Sequence, residues 1–363
     1  MEKPLIKSAL IVGGCGSLGH GIVKRLLEFQ PPISISVFDL NTKPNRFPGV
    51  TYYQVDITDK SHVSQEFAKV RPQVVFNTVS PPAGLVDLAF YLKVNVEGPR
   101  NLLECAKEAG TKAFVHTSSA SVIHDAVSDL VLADETTPLC YLPTQQEVYS
   151  HSKAVGEQLV LDSNIPGRFL TGCIRPSGMF CEGDPTPAGF IERAAVGKLK
   201  YNIGNGKNLF DFTYQLNTIH AHILLAEALL REYISPPSPD MVAAGQAFII
   251  TNDEPIEFWE FGRQLGDAAG FPTDRTSTRS IPVFIGLAMA LFAELLVWLA
   301  SFGKKKARLN RVAIRYSALT RTYQIDKAKR VLGYTPLVSL KDGILRTGKS
   351  FSTAFCTEVK KMK

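Results

Sequence analysis

The chain has 363 residues, 45% of them hydrophobic and 20% charged, which excludes wholesale disorder and fits one large domain or a large domain with a smaller lobe. Its formal charge of +6 is local, because Lys304, Lys305, Lys306, Arg308, Arg311, Arg315 and Arg321 crowd into residues 304–321 with no acid among them. No zinc, helix-turn-helix or aromatic-platform signature accompanies them, so no nucleic-acid partner is expected, and the six scattered cysteines lack metal-ligand spacing and read as thiols in a reducing compartment.

Ser8 to Val12 is a short apolar run ending in Gly13-Gly-Cys-Gly16-Ser-Leu-Gly19, and the residues after it have helical spacing of apolar positions. This is a strand, a turn and a helix. In a dinucleotide site such glycines make the tight turn, let the backbone approach the pyrophosphate and permit close helix packing. A second strand, Ile33 to Phe38, ends in Asp39, whose carboxylate is placed to accept from both adenosine ribose hydroxyls and to repel a 2′-phosphate. NAD is therefore expected over NADP. Lys43 and Arg46 argue the other way, since they would neutralise a 2′-phosphate if their loop folded back.

A third strand, Thr51 to Val55, delivers Asp56, which either meets the adenine amino group or caps the helix beginning near Ser61. Gln73 to Asn77 is a fourth strand, and the loop from Thr78 to Pro82 is expected to cross near the cofactor. Asn95 is expected to open a helix that runs to Ala109 and stops at Gly110. Lys112 to His116 is a fifth strand that brings Thr117, Ser118 and Ser119 to the same sheet edge, and Ser119 is the chosen donor to a substrate oxygen.

Tyr149 and Lys153 stand four residues apart, on one face of a helix. An ammonium there would favour the phenolate and lower the phenol's pKa from about 10, making Tyr149 a usable base. Phe169 to Ile174 is another strand, followed by Arg175 and Pro176. The alternation predicts an α/β fold, a doubly wound, mostly parallel sheet over residues 1–178, with residues 179–363 forming a smaller substrate lobe interleaved with the last sheet strands. Helical spacing from Thr218 to Glu232 and a strand from Ala247 to Thr251 belong to that second part.

Residues 281–302 carry one charge, Glu294. As a helix they reach about 33 Å, enough for a bilayer core of roughly 30 Å. Residues 322–345 look like the end of the soluble fold, so a segment lying in or dipping into one leaflet reconciles the two, with Trp298 at the interface and Lys304, Lys305 and Lys306 at anionic headgroups. The alternative is a buried helix of the substrate lobe. Lys360 and Lys361 resemble a dilysine retrieval signal or are a solvated basic tail.

Taken together, the motifs resemble the extended short-chain dehydrogenase/reductases and, within them, the 3β-hydroxysteroid dehydrogenase family. The glycine turn and Tyr149 to Lys153 carry that resemblance together with Asn95-Val-Glu-Gly98, Phe114-Val-His-Thr-Ser-Ser119, Ile174-Arg-Pro-Ser-Gly178, Asn217-Thr-Ile-His-Ala-His222, Phe248-Ile-Ile-Thr-Asn-Asp253 and Leu332-Gly-Tyr-Thr-Pro336. The branch it looks most like is the sterol-4α-carboxylate 3-dehydrogenases (decarboxylating). Ser17, Asn77 and Pro99 depart from that branch's usual residues, which suggests a divergent, fungal-type member. The resemblance implies Tyr149 as acid/base, Lys153 as ribose contact and pKa modifier, and Ser119 as substrate-oxygen donor. It places the cofactor against Gly13, Gly16, Ser17, Leu18, Gly19, Asp39, Asp56, Ile57, Tyr149, Lys153 and Pro176, with no metal. It further implies a sterol or terpenoid substrate, the cytosolic face of the endoplasmic reticulum or lipid droplets, and leaves a homodimer open. Hydroxysteroid oxidation with isomerisation, ketoreduction in a terpenoid pathway and a non-catalytic membrane scaffold are the competing readings.

Overall fold

The computed structural model describes residues 5–302, 307 and 309–361, without the side chains of Ser301 and of residues 352–361. Seven parallel strands form the central sheet: β1 (Ser8–Val12), β2 (Ser34–Asp39), β3 (Thr51–Gln54), β4 (Val74–Asn77), β5 (Ala113–Thr117), β7 (Leu170–Pro176) and β9 (Gln246–Ile250). Their order is β9-β7-β5-β4-β1-β2-β3, so the chain reverses direction across the sheet between β1 and β4, where α/β sheets open a crevice for ligands. β4, β5 and β7 are buried along their whole length, as strands covered by helices on both faces must be. That is the doubly wound α/β fold expected from the alternating pattern.

Helices α1 (Ser17–Leu27) and α7 (Gln215–Ile234) pack together on one side. On the other lie α2 (Lys60–Val70), capped by Asp59, the rod formed by α3 (Leu88–Leu92), a π-helical turn (Lys93–Glu97) and α4 (Gly98–Glu108), and then α5 (Val148–Asp162). Asn95 therefore does not open a helix. Asp87 does, accepting the Phe90 N–H at 3.0 Å, and Asn95 sits inside the π turn.

The second part of the chain supplies α6 (Pro185–Ala195), α8 (Phe258–Ala268), α9 (Val283–Ser301), α10 (Arg311–Tyr316) and α11 (Leu340–Lys361). It also shares a four-stranded sheet, ordered β10-β8-β11-β6, made of β6 (Leu130–Ala133), β8 (Leu209–Phe210), β10 (Ile256–Glu257) and β11 (Arg321–Tyr323). Its core is aromatic: Phe212 and Phe261 stack at 3.6 Å, and Phe180, Phe190, Phe210 and Phe258 pack around them.

Helix α9 is not a buried helix of this lobe. Only 11% of its stretch from Val283 to Ala300 is buried, Phe284 is 72% exposed and Phe292 62%. Its single charge is taken up internally, Glu294 accepting from the backbone N–H of Arg311 at 2.7 Å and from its Nε at 2.8 Å. The lysine cluster 304–306 and the side chains of Lys360 and Lys361 lie outside the described residues.

Helix α5 reaches the sheet through a polar seam. Asn95 Nδ2 donates to Ser152 Oγ at 2.9 Å, and Arg175 Nε donates to both Glu157 oxygens at 3.1 and 3.0 Å, all four side chains being buried. Between these contacts Gly156 lets the helix touch the π turn, for a Cβ there would stand 2.2 Å from the Asn95 carbonyl oxygen. Gly156→Ala is expected to destabilise the protein by about 1–3 kcal/mol although alanine is the better helix former. Chemical denaturation reads this directly, and unchanged stability would contradict the close approach.

Candidate active site

The turn after β1 opens onto the crevice. Gly13 adopts φ +82°, a region that favours glycine, and its N–H donates to the Phe38 carbonyl at 2.8 Å. A Cβ on Gly19 would stand 2.3 Å from the Gly13 carbonyl oxygen, so the third glycine is what brings α1 onto the turn. Gly16 is the N-cap, leaving the first N–H groups of α1 pointing outward. A cavity of about 320 Å³ lies in front of them, lined by Gly13, Gly16, Asp39, Asp56, Ile57, Thr78 and Ser80 among others.

Asp39 sits at the end of β2 and lines this cavity. It accepts the Cys15 N–H on Oδ2 at 3.0 Å and the Asn41 N–H on Oδ1 at 3.1 Å, which fixes the carboxylate and leaves each oxygen a second acceptor site. Asp56 does not cap α2; it accepts from the N–H and the hydroxyl of Thr58 at 2.8 Å. The loop carrying Lys43 and Arg46 does fold back, with Asn45 Nδ2 donating to the Cys15 carbonyl at 2.8 Å, but the Arg46 guanidinium lies 4.6 Å over the Tyr52 ring. A positive-φ turn, outward N–H groups and a fixed acid at the neighbouring strand end fit a dinucleotide.

The other expected contacts divide. Ser17 Oγ accepts from Gln215 Nε2 at 2.8 Å and lies 3.7 Å from Cys181 Sγ, joining the start of α1 to the start of α7. Leu18 buries its side chain in the core. Pro176 closes β7, paired in register with Ile250, and is not among the residues that line the cavity.

Lys153 is 2% exposed, and its Nζ donates to the Thr117 carbonyl at 2.7 Å. Burial presses its pKa down to about 8. The expectation that this ammonium lowers the Tyr149 pKa is overturned: burial pushes the phenol up to about 12, opposed by a hydrogen bond from Ser80 and reinforced by Tyr91, Glu147 and Tyr316. Four-residue spacing put the two side chains on one face; the non-local carbonyl of β5 decides where the ammonium is bound.

Ser80 and Tyr91 are site residues that the motifs did not mark. The Tyr91 ring meets Tyr149 edge-on at 5.7 Å, while its hydroxyl donates to the Pro82 carbonyl at 2.5 Å and accepts the Leu85 N–H at 3.2 Å. It thereby holds both the phenol and the loop that carries Ser80. Tyr91 has no spacing signal beyond a helical position, whereas Ser80 lies in the loop expected near the cofactor.

The three hydroxyls after β5 separate by environment. Thr117 Oγ1 bonds His222 Nε2 at 2.7 Å on the α7 side, and Ser118 Oγ is buried without a partner. Ser119 is the partly exposed one, its Oγ 2.9 Å from Ser121 Oγ, which in turn accepts from Ser150 on α5 at 3.0 Å. Ser119 is therefore tied to the tyrosine helix and still reachable.

Comparison with known proteins accords with this geometry. The model of the 3-beta hydroxysteroid dehydrogenase/isomerase family matches residues 10–282, and the chain belongs to that family. It is 35% identical over 359 residues to Arabidopsis thaliana 3beta-hydroxysteroid-dehydrogenase/decarboxylase isoform 1, covering 94% of this chain and 79% of that one. It is 34% identical over 348 residues to the Homo sapiens sterol-4-alpha-carboxylate 3-dehydrogenase, decarboxylating, covering 95% and 88%. Among solved structures, Thermus thermophilus UDP-glucose 4-epimerase in complex with NAD superposes with a TM-score of 0.70 at 21% identity over 96% of this chain and 99% of that one, a likeness of fold.

A lysine buried with its pKa near 8 makes folding pH-dependent in a defined direction. Between about pH 8 and 10.5 the unfolded chain keeps a proton that the folded chain has released, so stability rises with pH across that window. Lys153→Met removes the buried charge and keeps the packing. It is expected to raise stability near pH 7 by up to about 3 kcal/mol, with the advantage over wild type fading as pH approaches 10.5. Urea unfolding of both proteins across pH 7–10 checks this, and a destabilised variant at every pH would contradict it.

Proposed function

We propose that this member of the 3-beta hydroxysteroid dehydrogenase/isomerase family oxidises the 3β-hydroxyl of a 4α-carboxylated sterol or triterpenoid to the 3-ketone with NAD, and that carbon dioxide then leaves from C4. The reading is supported by Tyr149 and Lys153 on one helix to which Ser119 is linked through Ser121 and Ser150, by the hydrogen bond of Tyr149 to the cavity-lining Ser80, and by similarity over most of the chain to decarboxylating sterol dehydrogenases.

A nicotinamide dinucleotide bound in the crevice supplies the hydride acceptor. The glycine turn and the α1 N-terminus receive its pyrophosphate, and Asp39 the adenosine ribose. NAD is preferred because Asp39 presents a negative charge where a 2′-phosphate would stand, while Arg46 is held over Tyr52. Lys153, donating to the Thr117 carbonyl, keeps further N–H groups for a ribose hydroxyl.

Tyr149 rests as a neutral phenol, so its deprotonation has to be coupled to substrate and cofactor binding. The Ser80 hydroxyl favours the phenolate through a direct hydrogen bond, and a positive charge brought close to the phenol on binding would add to that. Once its own phenolic proton has left to solvent, Tyr149 takes the alcohol proton as the C3 hydride departs, with Ser119 holding the oxygen. The new ketone lies β to the carboxylate. When the C4–carboxylate bond breaks, its electron pair passes into a C3 enolate, whose oxygen faces Ser119 and the now protonated Tyr149; protonation at C4 completes the step.

The experiment is a matched panel of 3β-hydroxy sterols with and without a 4α-carboxylate, offered NAD or NADP, following reduced cofactor and carbon dioxide together. Equal amounts of reduced cofactor and carbon dioxide from the acids, with NAD the better cofactor, are expected. Oxidation of the uncarboxylated alcohols alone would move the reading to a plain hydroxysteroid dehydrogenase, and no turnover at all to a binding scaffold.

The apolar face of α9 completes the proposal, since a sterol-like substrate partitions into lipid. We place this helix in the cytosolic leaflet of the endoplasmic reticulum, lying in it without crossing, because α10, β11 and α11 return to the soluble fold. Replacing Phe284, Phe292 and Trp298 with glutamate is expected to abolish co-flotation with liposomes while leaving the fold intact. Protection of a C-terminal epitope from protease in sealed microsomes would contradict the non-spanning arrangement.

A further inference from the structure

One buried charge is not used by the reaction as described. Arg321, on β11, is 4% exposed, so it is no part of a solvated basic patch despite its place in the basic run of the sequence. Its guanidinium carbon lies 4.6 Å over the Tyr316 ring and 5.5 Å over the Phe210 ring. Aromatic contacts of this kind cover the faces of a guanidinium and leave its five N–H donors, which lie in its plane, still to be satisfied. Here one of them is not: Nε is buried with no hydrogen-bond partner, and among the described residues the group forms no ion pair with a carboxylate. Tyr323, two positions along the strand and on the same side, is a hydrogen-bonding neighbour that favours the charged arginine, although their contact lies outside ordinary hydrogen-bond geometry.

A buried cation with an unmet donor is costly unless something brings it an acceptor. The neighbourhood points to the substrate. Tyr316, which lies under the guanidinium, and Glu147, the N-cap of the helix that bears Tyr149, both act on Arg321 and on the phenol. Arg315 donates to Gln146 at 2.9 Å, fastening α10 to the residues just ahead of α5. On its other side α10 packs on α9, with Gly286 of α9 against Ile314. Arg321 thus sits against α10, which is fastened on one side to the residues ahead of the tyrosine helix and packs on the other against the apolar helix.

We propose that Arg321 reads a carboxylate on the substrate, taking both acid oxygens in its own plane while Phe210 and Tyr316 hold its faces, with the Tyr323 hydroxyl as an additional donor. The inference rests on the reaction proposed above. A planar, bidentate donor of fixed charge matches a carboxylate better than an ammonium does, and the aromatic walls suit a flat hydrocarbon skeleton attached to that acid. Glu147 acts on the guanidinium at longer range without pairing with it, which helps to keep the site charged before an acid arrives.

The test uses full-length enzyme with saturating NAD and two probes, a 3β-hydroxy-4α-carboxysterol and the same sterol with a 4α-methyl group. Arg321→Gln is expected to lower kcat/KM on the acid about 10- to 100-fold, chiefly through KM, and to leave the methyl compound within about two-fold. Arg321→Lys should fall between, keeping the charge and losing the two-point geometry. Equal losses on both probes would show a structural arginine, and an unchanged kcat/KM on the acid would remove the site; either result overturns the proposal. Should wild type turn over the methyl compound and not the acid, the proposed reaction fails by itself, and equilibrium binding of the acid then decides the arginine. Tighter binding to wild type than to Arg321→Gln upholds the anion site, and equal binding overturns it.

Discussion

Holding a lysine under the sheet edge with a single carbonyl for a partner requires that the helix bearing it cannot shift, and α5 is fixed at three levels. Ser152 receives Asn95 from the π turn, Gly156 closes against the same turn, and Glu157 pairs with Arg175 of β7. Lys153 lies between these contacts and reaches the Thr117 carbonyl. Losing any one lets the helix move away from β5, and with it the spacing between the lysine, the phenol and the cofactor crevice. The π turn explains itself in this light: it offers both the Asn95 side chain and its carbonyl to α5, which a regular helix presents less readily.

Burial then sets the electrostatics. The same exclusion of water that lowers the Lys153 pKa raises that of Tyr149, so the pair rests closer to neutral than two exposed side chains would. A site of this kind is primed by what binds it. The Ser80 hydroxyl already shifts the balance toward the phenolate, and a positive charge beside the ring would shift it further. The cost of the buried polar groups, including the unpartnered Nη1 of Arg175 and Nε of Arg321, is met by the extensive apolar cores around them.

The frame of the molecule was legible in the sequence because its signals are local. Strand, glycine turn, helix and acid follow one another within forty residues, and Gly13 has its positive φ where the turn requires one. The apolar character of α9 was equally plain, and most of it stays exposed because the short α10 covers only one side of it. The start of the α3 rod was hidden because a five-residue helix and a π turn break the 3.6-residue period, leaving the Asp87 cap as the one cue. The partner of Lys153, the roles of Ser80 and Tyr91 at the phenol, and the enclosure of Arg321 all come from segments distant in the chain. No spacing rule links Thr117 to Lys153 or Phe210 to Arg321.

The central claim is that Tyr149 removes a proton from a secondary alcohol while its carbinol hydrogen leaves as hydride to a nicotinamide. Deuterium placed at C3 of a 4α-carboxylated 3β-hydroxysterol tests it most directly. Mass spectrometry after a single turnover should find the label in the reduced cofactor for wild type, with none in the ketone. Tyr149→Phe, still binding NAD, should transfer none. Label retained in the product, or transferred by the phenylalanine variant at the wild-type rate, would contradict the account.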